Sequence, residues 1–212
     1  LLERIDARTA YPTVKMWLGY LAGKAGDKAA EKKYFTAALA IPTDRCNPFR
    51  LETVAVLERA KELCPESYKP CYYLGNLYYN KQPDRAMAEW EQCIAKEPSF
   101  AMAWRNLGWA HWLHTKNYGE AVKYYRKAID LAPEEALFLE EIDQVYEAKG
   151  EDVQVRYDLL KSRHAVCTKR YSPLAGEVTA GIFVGDYDYV LKLLKECYFP
   201  TREGVANFHD VY

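Results

Sequence analysis

The sequence predicts an all-α fold: an α–α superhelix of stacked antiparallel helical hairpins, about eleven helices in all. Three observations carry that prediction. A small or Val residue, a large apolar residue and a second small residue recur at i, i+4 and i+7, often with Pro five positions further on. The last four copies begin at 86, 121, 155 and 190, a period of 34 or 35 residues. A Leu-Gly pair precedes three of the copies, at Leu18-Gly19, Leu74-Gly75 and Leu107-Gly108.

In chain order, the copies are Ala30, Tyr34, Ala37, Pro42, then Thr53, Leu57, Ala60, Pro65, then Ala86, Trp90, Cys93, Pro98. Ala121, Tyr125, Ala128, Pro133 is the fullest, and Val155, Leu159, Ser162 and Val190, Leu194, Cys197 keep the spacing without Pro. Spacings of four and three put each set on one helix face. Pro ends the helix because it cannot continue one. Gly in a partner helix lets two backbones approach while a large side chain fills the space beside them. Breaker-rich turns at Ala25-Gly26-Asp27, Lys116-Asn117-Tyr118 and Gly185-Asp186-Tyr187 separate the two helices of a unit.

These marks divide the chain into a lead-in at 1–11, a repeat at 12–42, a partial repeat at 43–66, repeats at 67–98 and 99–133, two degenerate repeats at 134–171 and 172–199, and a tail at 200–212. The partial repeat is the irregular one. Pro42 and Pro65 are 23 residues apart, too close for a hairpin. We expect one odd helix near 49–63, with the polar stretch Thr43–Pro48 running back along the stack in place of a first helix. Six extended residues reach roughly 20 Å, about the length of a short helix.

Composition narrows the function. Lys plus Arg is 29 and Asp plus Glu is 30, a net charge of -1 that offers no footprint for nucleic acid or an anionic membrane. No apolar run approaches the ~18 residues of a membrane span. The six cysteines contain no CxxC, and Cys71, Cys93 and Cys197 fall at packing positions, so they read as buried small residues rather than disulfides or zinc ligands. We take the compartment to be cytoplasmic, with the periplasm as the alternative. The chain opens at Leu1 without Met, and we expect it to be part of a longer protein.

Trp104, Leu107, Gly108, Ala121, Tyr125, Ala128 and Pro133 resemble the tetratricopeptide repeat, whose pattern of Trp, Leu-Gly, Tyr, Ala, Phe/Tyr, Ala and Pro spans 34 positions. The resemblance covers roughly 12–199 and is strongest over 67–133. It implies a non-catalytic scaffold that holds a protein or peptide in the groove lined by first helices, or that packs on another domain of its own full-length chain. A narrower resemblance lies in PFRLETVAVLE (48–58), YYLGNLYYN (72–80), WRNLGWA (104–110) and LEEIDQVYEAKG (139–150). These strings are similar to an uncharacterised bacterial family. FPTREG (199–204) fits it less well, lacking an expected aromatic and acidic residue. Membership would imply that a β-rich, carbohydrate-active domain precedes the repeats, and that the helices contact sugar or that domain.

No catalytic constellation stands out, and neither cofactor nor metal is expected. His111 and His114 share a helix face, but His111 takes the usual Tyr position and no third ligand follows. Asp84, Glu89 and Glu91, and the group Glu134, Glu135, Glu140 and Glu141, are explained more simply by acidic preference at helix starts than by acid–base work. No Ser-His-Asp order, G-x-S-x-G string or phosphate-binding Gly loop occurs.

By repeat register, the resemblance assigns groove positions to Lys69, Tyr72, Asn76, Tyr79 and Asn80 in one unit and to Arg105, Trp109 and Trp112 in the next. Arg105, Trp109 and Trp112 share a face at spacings of four and three, and Tyr72, Asn76 and Tyr79 repeat that geometry. The expectation is an aromatic trough with a cation and amides inside. Asn76 and Asn106 match part of the clamp that some tetratricopeptide proteins use for chaperone tails. The third helix offers Leu137 and Glu141 where that clamp needs a base, which argues against such a ligand. One end of the array lacks a polar cap, so we also expect weak self-association through it.

Overall fold

The computed structural model describes residues 5–6 and 11–199. Expectations for the tail at 200–212, and most of those for the lead-in, lie outside the described residues. Among the described residues there are twelve α-helices, one of them a four-residue turn of helix, and no strand. They fall into two compact units, one up to Ala103 and one from Trp104.

The first unit holds α1 (Pro12–Lys24), α2 (Lys28–Ala40), α3 (Thr53–Leu63), α4 (Lys69–Tyr78) and α5 (Pro83–Lys96). Helix α6 (Ala101–Leu113) begins there and continues in the second unit with α7 (Tyr118–Leu131), α8 (Ala136–Lys149), α9 (Val153–Ser162), the short α10 (His164–Cys167), α11 (Tyr171–Val184) and α12 (Tyr187–Glu196). Starts are capped as the residue types dictate. Asp27, Asn117 and Asp152 accept hydrogen bonds from Ala30, Glu120 and Gln154 amides at 2.9, 3.1 and 2.8 Å. Pro12, Pro70 and Pro83 sit in first turns, where no amide donor is missed.

The repeat pattern finds its packing residues best in the middle of the chain. Leu57 and Ala60, Trp90 and Cys93, and Tyr125 and Ala128 are all buried. The paired glycines work by absence: a methyl on Gly75 would overlap the Trp90 ring, and one on Gly108 would press on Tyr125. Trp104 is only half-buried, its ring 5.8 Å from that of Tyr124.

At the flanks the register shifts. On α2 the buried residues are Glu31, Phe35, Ala38 and Leu39, the first three one position later than the predicted Ala30, Tyr34 and Ala37. Gly19 of α1 leaves room for the Phe35 ring, which takes the interior and leaves Tyr34 at the edge. On α9 Tyr157 and Leu160 are buried, while Val155 is 40% exposed. Gly181 on α11 makes room for the Tyr157 ring, and Gly176 for the Asp143 carboxylate. On α12 the buried pair is Val190 and Leu193, with Leu194 and Cys197 partly buried beside them.

The partial repeat has a definite construction. After a 3-10 turn at Thr43–Arg45 the chain is extended, and Cys46 is buried with its Sγ 3.3 Å from Thr13 Oγ1 of α1. Its thiol also lies beside the buried Tyr73 of α4, whose hydroxyl is pushed far above the usual phenol range, chiefly by burial. A loop side chain thus fills space between α1 and α4, and α3 packs on α1, α2 and α4. Phe49 and Leu51 on the same loop are exposed.

Side chains then clasp one hairpin to the next. In the first unit Arg59 of α3 grips Glu31, and Lys61 grips Glu89 with contacts of 2.9 and 2.8 Å. In the second, Arg105 of α6 grips Glu141 of α8, while Arg156 holds the buried Asp143 within one hairpin at 2.8 and 3.1 Å. A second kind of clasp reaches back to main-chain carbonyls at a helix end. Lys69 Nζ donates to Leu39 and Ile41 carbonyls at 2.6 and 2.7 Å, and Lys96 Nζ to Pro65 at 2.6 Å. Arg163 reaches Pro133 at 3.4 Å and Lys169 reaches Glu134 at 3.3 Å. Leu39 belongs to the last turn of α2, where the carbonyl has no intrahelical donor and the helix dipole favours a cation. The other acceptors lie one to three residues beyond a helix end.

Candidate functional site

Helix α6 separates two kinds of face. Ala103, Asn106, Leu107 and Ala110, at i, i+3, i+4 and i+7, are buried and do the packing. Arg105, Trp109 and Trp112 lie on a different stripe and are each half-buried. Their geometry is compact: the indoles of Trp109 and Trp112 meet edge to face, centroids 5.4 Å apart at 81°, and the Arg105 guanidinium lies 4.9 Å from the Trp109 ring. An edge-to-face pair with a cation over one ring is electrostatically favourable, so the row is held in one shape.

Arg105 is tied from its other side. Its Nε donates to Glu141 Oε2 at 2.6 Å, Nη2 donates to Oε1, and Nη1 donates to Asn106 Oδ1 at 3.1 Å. Glu141, on α8, is 4% exposed. The bidentate pair lets a carboxylate be buried between two first helices, and it fixes the arginine plane against which Trp109 rests. The sequence reading explains Glu141 by acidic preference at a helix start, without its tie to Arg105. The signal was present in the spacing, since 36 residues is close to one repeat and brings the two first helices into register.

In the first unit the candidate row on α4 is more committed to structure. Lys69 spends its ammonium on the α2 carbonyls, and burial pushes its pKa below the usual lysine range. Asn76 Oδ1 accepts from Trp90 Nε1 at 3.2 Å, a bond that satisfies a buried indole. Tyr72 packs on Phe100 with centroids 4.9 Å apart, and Tyr79 leans on Trp90 at 5.4 Å. Asn80 is exposed. The two histidines part company: His111 stacks on Tyr124 at 5.1 Å, while His114 is exposed. Among the described residues no group of three or more His, Cys, Asp or Glu is placed to hold a metal ion, and no helix is long and apolar enough to cross a membrane.

The buried Leu-Gly, Trp and Tyr contacts define a chain of helical repeats, and a family model for the tetratricopeptide repeat matches residues 76–136. Over that stretch the chain is similar to the tetratricopeptide repeat. Two crystal structures of MamA share the fold with TM-scores of 0.56. The first is 17% identical and aligns over 87% of this chain and 88% of that one, and the second is 18% identical over 80% and 90%. At that identity the likeness speaks to fold alone.

Proposed function

We propose that the chain is a non-catalytic scaffold that binds a protein or peptide through the first-helix faces of its repeats, with the α6 row as the principal contact. The observation that supports this reading is the Trp109–Trp112 pair. Both indoles stand off the packing stripe of their own helix, and both are oriented by neighbours that are themselves fixed. Large rigid rings of this kind supply contact area at little entropic cost, which is why Trp and Arg anchor so many interfaces. Arg105, neutralised by Glu141, serves as the buttress of the row and the means of aligning a partner's polar backbone. In the first unit Tyr72, Tyr79 and Asn80 are the corresponding contact residues, while Lys69 and Asn76 hold the fold.

The test is a peptide-array screen read out by tryptophan fluorescence, followed by titration of each hit against a Trp109→Ala/Trp112→Ala double variant whose helicity is checked by circular dichroism. Loss of affinity by about thirtyfold or more is expected for anchors of this class. Unchanged affinity in a folded double variant places the site elsewhere.

A further inference from the structure

A cavity of about 340 Å³ opens between α7 and α9, and none of the groove residues contributes to it. Its floor is apolar. Ile129 of α7 and Ile142 of α8 are buried there, and Val155 and Leu159 of α9 form the opposite wall. These are the α9 positions that the repeat pattern assigned to the core and that the register shift turns outward. The volume lies at the small end of ligand sites, enough for one or two side chains.

Its polar groups are almost all donors. Arg126 of α7 and Arg163, just beyond α9, bring two guanidinium groups, against one acid, Asp130. Tyr146 is the third donor. Its hydroxyl oxygen receives Nε and Nη2 of Arg126 at 3.0 and 2.8 Å, so both lone pairs are engaged. The hydroxyl hydrogen has no acceptor among the described residues, although Tyr146 is only 2% exposed. Glu151, the other acid near Arg126, is held by Lys149 at 2.5 Å. A site with two cations, an inward hydroxyl and aliphatic walls is complementary to a carboxylate with an aliphatic neighbour.

We propose that this crevice is a second binding site, taking an acidic peptide segment in which a Glu or Asp side chain adjoins a leucine-like residue. The carboxylate accepts from Arg126, Arg163 and the Tyr146 hydroxyl, while the aliphatic side chain covers Ile142 and Leu159. The site lies on the second-helix side of its unit and works independently of the α6 row.

The experiment uses the capped dipeptide acetyl-leucyl-glutamyl amide, with acetyl-leucyl-glutaminyl amide as its neutral counterpart, titrated into the whole chain with methyl-labelled Ile and Leu. The acidic probe is expected to shift Ile129, Ile142 and Leu159 methyls saturably, leaving the Trp109 and Trp112 indole signals in place. The neutral probe should bind at least about tenfold more weakly, the usual scale for a charge-assisted contact. Arg126→Gln should weaken the acidic probe by a similar factor, and Asp130→Asn, a change at an exposed residue, should tighten it. Equal binding of the two probes overturns the proposal, as does an Asp130→Asn variant with unaltered or weaker affinity. Inorganic phosphate that displaces the acidic probe without moving the methyls leaves an anion site only, and also overturns it.

Discussion

Arg59 closes on Glu31 across 28 positions of sequence, Nε to Oε1 at 2.8 Å and Nη2 to Oε2 at 3.1 Å, and Glu31 is 3% exposed. The Arg59 hydrogen bonds, opposed by burial and assisted by Lys28, bring the Glu31 carboxyl down from 4.5 to about 2. A carboxyl with a folded pKa below its unfolded one stabilises the fold above the unfolded value and loses that contribution as protons bind. The urea midpoint should therefore fall as pH drops from 4.5 toward 2, and Glu31→Gln should be less stable at pH 7 yet flatter across that window. A variant with the same acid slope as the parent would assign the pH dependence to other carboxylates.

Gly75→Ala and Gly108→Ala should each destabilise by about 1–3 kcal/mol, because the added methyl meets the Trp90 or Tyr125 ring. Helix propensity alone predicts the opposite sign, a gain of up to about 1 kcal/mol. Denaturation midpoints therefore separate close packing from propensity by direction.

Thiol reactivity should follow exposure. Burial pushes Cys93 and Cys167 up to about 12 and raises Cys71 as well, whereas Cys197 stays partly exposed. Thiolate is the reactive form. Iodoacetamide at neutral pH, followed by peptide mass mapping, should label Cys197 first and the other three only on unfolding. Early labelling of Cys93 would mean that α4 and α5 open locally.

Phe183, Tyr187 and Leu191 are 75, 61 and 53% exposed on α11 and α12. Exposed rings and aliphatic side chains favour association. Sedimentation velocity should show weak, concentration-dependent self-association that Phe183→Lys/Leu191→Lys abolishes. A clean monomer at high concentration counts against it.

The fold class was readable because Leu-Gly, Trp or Tyr and Pro act through short-range spacing, and a periodic signal accumulates over several units. The registers of α2 and α9 were not, because pattern matching sees residue type, whereas the interior is decided by which ring finds room. Phe35 displaced Tyr34, and Tyr157 took the space above Gly181. The α6 row could be read from spacings of four and three. Its tie to Glu141 and the crevice under Arg126 could not, because both depend on side chains from different hairpins meeting.

The cations that reach back to helix-end carbonyls bear on how this chain can change over time. Lys69, Lys96, Arg163 and Lys169 each span 28 to 35 residues to a main-chain oxygen. One residue inserted in a turn between the two ends would swing the amine or guanidinium off its carbonyl and strand a polar group at a packed helix end. Length variation should therefore be tolerated poorly in the turns between successive hairpins. It should be tolerated better in the turn at 25–27 between α1 and α2, which none of these four contacts spans.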